Sequence, residues 1–455
     1  MTLIQGAEGI FTGLPGDAMR ASGAIRIVDG RIAEIGTLTP RPGERVIDAS
    51  GCVVYPGLIS THHHLFQSVL KGVRAGIDAP LHAWLRAVAY SFWHKIDEEA
   101  LRVAARIGLA ELLLSGTTTA ADHHYLFAES YRFDPAHVIF EVAAELGIRL
   151  VFCRGGATKG RTFDTPDLVP TPTEPLDRMI KSVEACAQRY HDPSPDSLRR
   201  VAFAPTNPPY SVEPGELKEI VAAARRMGLR IHGHLSECAA DVDHCLAAFG
   251  KRPVEWMADH DWLGSDVWFA HLVHINDREI ELLLETGTGI AHCPQSNCRL
   301  GSGIAPVEKM AARGGAVSLA VDGAASNESA DMISEMNSAW HVHRAAKGAA
   351  SVSIEEVVRW ASAGGARVLG FDETGVLAPG KLADIAIFDL SHPRYCGLHD
   401  PLLGPVAGAG AAHVRHLLIG GRVVVEDGCI PGLDLARLRR DASRVVARLA
   451  ARLAA

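Results

Sequence analysis

Both ends of the chain alternate apolar and polar positions at the period of β-strands, while its middle alternates strand-like with helix-like segments. Residues 23–36 (GAIRIVDGRIAEIG) form two alternating runs around Asp29-Gly30, a turn pair that accepts the positive φ angles of a tight hairpin. Residues 45–55 (RVIDASGCVVY) predict a second hairpin, turning at Ala49-Ser50-Gly51. Near the other end, 383–390 (ADIAIFDL) and 414–428 (VRHLLIGGRVVVEDG) are again strand-like, with turns at Gly420-Gly421 and Asp427-Gly428. Two β-rich ends around a different middle predict one small β-sandwich assembled from both termini. The last segment, 434–455, carries Leu, Ala and Arg at helical period and predicts a helix.

In the middle, eight apolar runs predict strands near 58–62, 117–122, 148–153, 200–205, 229–235, 267–272, 288–292 and 317–322. Helical stretches separate most of them, among them 97–115, 214–227 and 276–286. Eight strand–helix units predict an α/β fold of the (β/α)₈ TIM-barrel type. The alternative, an open doubly wound sheet, calls for a glycine-rich phosphate loop after its first strand, and here that strand runs into histidines instead. The expected division is 1–56 and 376–433 as the two parts of the sandwich, 57–375 as the barrel, and 434–455 as the terminal helix.

Composition narrows the function classes. A chain of 455 residues is long enough for one large and one smaller domain. The net charge of −8 and the lack of a basic stripe argue against a nucleic-acid partner. No apolar run is long enough for a membrane span, and the N-terminus lacks the pattern of a secretion signal. The nine cysteines are scattered, with no C-x-x-C pair, so zinc-ribbon and thioredoxin-like sites are not expected. Reduced thiols and a cytoplasmic location are the expectation. The 22 histidines, several in tight clusters, point to metal chemistry.

In a barrel of this kind the chemistry sits at the C-terminal ends of the strands. The first strand ends Ser60-Thr61-His62-His63-His64, where alternation puts His62 and His64 on one face and His63 on the other. The fifth repeats the pattern with His232 and His234, and Glu237 follows just past its end. The sixth ends at His271, and the eighth carries Asp322 at the end of an apolar run. Burying that many imidazoles and carboxylates at one barrel end without an ion is costly. Open sites with about three protein ligands are those that hydrolytic zinc uses.

His62-x-His64, His234 with Glu237, His271 and Asp322, in this order and on these strands, resemble the mononuclear deaminase branch of the amidohydrolase superfamily. The resemblance covers nearly the whole chain, including the return GVLAPGKLADIAIFDL (375–390). Binuclear members use a carboxylated lysine on a middle strand, and VAFAPTNPPYS (201–211) contains none. Within the branch, HHHLFQSVLKG (62–72), DWLGSDVWFAHLVH (261–274), AHCPQSN (291–297) and VDGAASNESADMISE (321–335) are most similar to isoxanthopterin deaminases. The 8-oxoguanine deaminases come next, and triazine hydrolases are more distant.

The resemblance implies one divalent ion, zinc, held by His62, His64, His234 and Asp322, with iron left open because imidazole suits both. It further implies that Asp322 takes a proton from the activated water, that Glu237 protonates the ring nitrogen, and that His271 polarises the hydroxide or stabilises the adduct. The expected substrate is a small aminated heterocycle. Gln67 and Arg154 are the candidates to read its edge, although a structural ion pair is the other reading of Arg154. His232 faces the barrel centre either as a ligand or as a buttress for His234. Asn297 is expected to fix a loop. The insertion with Trp84, Phe92 and Trp93 packs a core, caps the pocket or meets a second subunit, so homo-oligomerisation stays open. Two other functions remain: triazine dechlorination or dealkylation on the same scaffold, and a non-catalytic metal-binding barrel.

Overall fold

The computed structural model describes residues 1–160, 169, 171–408 and 413–454. Eight parallel strands run in sequence order around one barrel: β1 (Leu58–Ser60), β2 (Thr117–His124), β3 (Arg149–Gly156), β4 (Arg199–Pro205), β5 (Arg230–Leu235), β6 (Val267–His271), β7 (Gly289–His292) and β8 (Val317–Leu319). The first and last strands meet where Thr61 N–H donates to the Leu319 carbonyl (3.2 Å) and Asp322 N–H to the His62 carbonyl (3.2 Å). All eight predicted strands are present. Their inward positions are mostly small, such as Ala121, Ala202, Ala204, Ala270 and Ala291. That leaves room at the upper end for large polar side chains.

Two further sheets are built from the ends of the chain. One is formed by Thr2–Gln5, Ala24–Val28, Arg31–Gly36 and Arg45–Asp48. The other joins the C-terminal strands Ile385–Asp389, Val414–Ile419 and Arg422–Val425 to Cys52–Pro56, Gly9–Phe11 and Arg20–Ala21 from the beginning. Ile4, Ile25, Ile47, Val54, Ile385 and Leu418 fill a shared core, so the sandwich is assembled from both termini. The hairpin at Asp29-Gly30 is present: Val28 pairs with Arg31, and the two turn residues have φ of 48° and 77°. Gly420-Gly421 makes the same kind of turn, with φ of 53° and 75°.

The hairpin expected at 45–55 does not form. Arg45–Asp48 runs parallel to Thr2–Gln5, whereas Cys52–Pro56 crosses to the other sheet and pairs antiparallel with Ile385–Asp389. The physical reason is burial. Cys52–Pro56 is covered on both faces, with Cys52 and Val54 in the sandwich core and Val53 and Tyr55 in the larger barrel core. Only a central strand meets that demand, and Arg45–Asp48 is a mostly exposed edge.

A long insertion follows β1. Its helix α1 (Leu81–Ala87) lies over the barrel mouth, held by Trp84 Nε1–H donating to the Ala325 carbonyl (2.9 Å). Helix α2 (Glu98–Leu114) then returns the chain to the barrel, capped by the Asp97 side chain. Beyond β5, helix α3 (Ala239–Phe249) starts two residues after Glu237. The tail forms the expected helix α4 (Leu435–Ala454). It buries Val445 and Leu449 and pairs Arg448 with Asp97 (2.7 Å) and Glu99 (2.5 Å). Among the described residues no helix is long and apolar enough to cross a membrane.

Candidate metal centre and active site

Side-chain parity at the upper barrel end brings six polar residues from four strands together. His62 and His64 follow β1, His234 lies in β5, His271 ends β6, Glu237 follows β5 and Asp322 follows β8. The residues at the strand ends are bent to aim inward. Ser236, His271, Leu272 and Asp322 have φ of 52°, 75°, 46° and 60°, a conformation that costs non-glycine residues about 1–3 kcal/mol each. Such strain concentrated at strand ends marks a site where geometry outweighs backbone comfort.

Hydrogen bonds on the far sides of the rings fix the tautomers. His64 Nδ1 faces the His123 carbonyl at 2.7 Å and His234 Nδ1 faces the Thr206 carbonyl at 2.5 Å. A carbonyl only accepts, so both Nδ1 atoms carry the proton. His232 Nδ1 likewise donates to the Trp268 carbonyl (3.0 Å), which leaves its Nε2 to accept from His62 Nδ1 (2.7 Å). His232 therefore buttresses His62 rather than His234. The Nε2 atoms of His62, His64 and His234 are left with lone pairs pointing inward.

Those lone pairs face one another. His64 Nε2 is 3.1 Å from His234 Nε2, and Asp322 Oδ1 lies 3.3 Å from His62 Nε2 and 3.4 Å from His64 Nε2. No proton is available for a hydrogen bond across these contacts, so four acceptors face each other with no donor between them. Burial holds His62, His64 and His234 below the usual histidine range, so charging the rings does not relieve the conflict. A divalent cation does, and a trio of neutral imidazoles with one carboxylate is a donor set that fits it. His123 is the fourth imidazole within the same 4.8 Å group. It donates through Nε2 to the Ala204 carbonyl (2.8 Å), and its buried Nδ1 has no partner.

The other carboxylate oxygen, Asp322 Oδ2, accepts from Ser296 Oγ (2.6 Å) and Ser326 Oγ (3.0 Å). His271 Nδ1 contacts Asn297 Oδ1 (3.0 Å), and its Nε2 lies 3.6 Å from Glu237 Oε2. Asn297 thus orients an active-site ring, which goes beyond the loop-fixing expected of it. His63 turns outward, as alternation requires, and its Nδ1 accepts from His64 N–H (2.7 Å).

These groups open into a pocket of about 590 Å³, including its mouth. Its walls include Gln67, Leu81, Trp84, Tyr90, Tyr125 and Leu300, so the insertion caps the site. Gln67 has a buried Oε1 without a partner. A Cβ on Gly323 would lie 1.9 Å from that oxygen, so the glycine makes room for the amide.

Arg154 is the exception among the expected residues. β3 pairs Cys153 with His123 and Arg154 with His124, so Cys153 faces the interior and Arg154 the outer layer. There it pairs with Glu174, donates to Ser182 Oγ (2.9 Å) and stacks on Phe127 at 4.0 Å. It lines a larger cleft of about 1000 Å³ that shares no wall residue with the imidazole pocket. The expectation that Arg154 reads the substrate is corrected: it is a structural ion pair.

A barrel with converging imidazoles and acids at the C-terminal strand ends defines the class of metal-dependent barrel hydrolases. The chain belongs to the amidohydrolase family, which residues 53–424 match. It is 50% identical over 469 residues to an isoxanthopterin deaminase from an unknown prokaryotic organism, covering 98% of this chain and 97% of that one. It is 39% identical to an 8-oxoguanine deaminase of Pseudomonas aeruginosa, covering 96% of each. The atrazine chlorohydrolase TrzN of Arthrobacter aurescens TC1, solved in complex with zinc, superposes with a TM-score of 0.91 at 29% identity, covering 98% of this chain and 100% of that one.

Proposed function

We propose that this protein is a metal-dependent deaminase that replaces an exocyclic amino group of a heterocycle by a carbonyl, with isoxanthopterin as substrate. The observation that carries this reading is the cluster of three unprotonated Nε2 atoms, two of them against Asp322 and the third, of His234, against that of His64, with Glu237 in the same pocket. The 50% identity to an isoxanthopterin deaminase over nearly the whole of both chains supports the choice of ring. Zinc is the proposed ion, on the N/O donor set and on the zinc complex of the similar hydrolase.

His62, His64, His234 and Asp322 would hold the ion, which supplies a water acidified from a pKa of about 15.7 toward about 7. The chain's own groups then move protons. Asp322, steadied by two serine hydroxyls, takes the proton of the attacking water. Glu237 donates a proton to the ring nitrogen next to the carbon under attack, so charge does not accumulate there. General acid help of this kind is worth about 10²–10⁴-fold. His271, oriented by Asn297, holds the Glu237 carboxyl and faces the developing oxyanion. Asp322 returns its proton to the departing amine, so water is consumed and ammonia leaves. Gln67 offers both a donor and an acceptor to an amide-like ring edge, and Trp84 and Leu81 keep bulk water out. All nine cysteines are free thiols, in keeping with a reducing cytoplasm.

The test is ammonia release from isoxanthopterin and 8-oxoguanine side by side, with chloride and alkylamine release from triazines as further arms. The reading expects ammonia, with kcat/KM highest for isoxanthopterin. Preferential turnover of 8-oxoguanine would change the substrate. Release of chloride or an alkylamine without ammonia from any substrate would end the deaminase reading.

A further inference from the structure

A second group of metal-ligating atoms lies beside the pocket and takes no part in the chemistry above. His82 is in the first turn of α1, Cys238 is the residue before α3, and Asp241 is in the first turn of α3. One ligand atom from each lies within 4.8 Å of the other two, and Cys238 Sγ is 3.7 Å from His82 Nε2. Helix capping accounts for half of Asp241. Its Oδ2 accepts from the backbone N–H groups of Glu237 (2.8 Å) and Cys238 (3.2 Å). Its Oδ1 is buried without a partner, although the residue is only 4% exposed. A buried carboxylate oxygen with nothing to accept is costly, and this carboxylate sits beside an imidazole and a sulfur.

We propose that His82, Cys238 and Asp241 form a second metal site, for zinc or a divalent ion of similar softness, with water at the fourth position. The mixed N/S/O set selects such ions over magnesium or calcium. Ligand atoms that share a tetrahedral ion at bonds of about 2.0–2.3 Å stand about 3.3–3.8 Å apart, and Cys238 Sγ and His82 Nε2 are already 3.7 Å apart. Burial pushes the Cys238 thiol up to about 12, with Asp241 and Glu237 adding to the effect. The sulfur is therefore protonated until the ion arrives, and binding releases that one proton. The three ligands come from the cap and from the segment next to Glu237. An ion there ties α1 to the loop that carries the proton donor.

Cobalt(II) titration of the purified full-length protein tests this, because the imidazole centre offers only nitrogen and oxygen. A thiolate-to-cobalt charge-transfer band in the near ultraviolet reports sulfur ligation alone. We expect two equivalents to bind, the second bringing the band. Cys238→Ser and His82→Ala should each lose the band and the second equivalent while keeping the first. A single equivalent without the band in the parent protein would overturn the proposal, as would a band that survives in Cys238→Ser. The readout is spectroscopic, so its failure leaves the deaminase reading standing, and failure of the ammonia assay leaves this site untouched.

Discussion

The two ends of the barrel bury polar groups in opposite ways. At the N-terminal end Arg149 and Asp384, each 1% exposed at the side chain, form an ion pair between barrel and sandwich. Arg149 also donates to the Ser197 carbonyl (2.9 Å) and Thr119 Oγ1 (3.3 Å), and Asp384 Oδ1 accepts from Gly420 N–H (2.7 Å). Charge meets charge, and the remaining lone pairs are used. At the C-terminal end His62, His64 and Asp322 are buried and His234 is partly buried, yet their inner atoms are all acceptors facing acceptors. The lower end is complete by itself and serves stability. The upper end is complete only with a cation, and the strained residues gather there too.

This contrast breaks most sharply at the ligands. His234→Ala should lose the centre's ion and with it all measurable turnover, while circular dichroism stays that of the folded parent. An unchanged metal content at that centre would move the ligand set elsewhere. Glu237→Gln removes a proton donor and no ligand, so metal and fold should stay. Ammonia release should fall about 10³-fold, within the range of general acid catalysis; near-normal turnover would reject the role.

At the lower end the effects should reverse. Asp384→Asn strands the Arg149 charge in a dry environment and should cost about 3–5 kcal/mol, read as a lower denaturation midpoint, with kcat of the folded fraction unchanged. A loss of activity without a loss of stability would show the two ends to be coupled. Gly323→Ala sharpens the picture within the pocket. It displaces Gln67 and leaves the ligands alone, so KM should rise about tenfold, the worth of one hydrogen bond, with kcat nearly constant. Smallest is Arg154→Met, which removes an ion pair outside the pocket: KM should not move, and the melting temperature should fall. A raised KM would return Arg154 to substrate reading.

The eight barrel strands and the inward pairs His62/His64 and His232/His234 were legible because periodicity along a strand is a local property. What failed was non-local. Alternation shows which residues of 45–55 are buried, and Ile47 and Val54 do enter one core, but it does not say that their strands belong to different sheets. In β3 every residue is buried, so apolar patterning does not tell which way Arg154 faces. The pairing of its neighbour Cys153 with His123 settles the parity, and that is known only once the strands are in register. Asn297 touches His271 across 26 positions of sequence, and only the fold makes them neighbours.

Anomalous diffraction from crystals of the metal-loaded protein would locate the ion among these four side chains. A peak is expected about 2.0–2.1 Å from the Nε2 atoms of His62, His64 and His234, with Asp322 Oδ1 beside it. A structure without density at that point after metal loading, with the rings turned to hydrogen-bond one another, would contradict it.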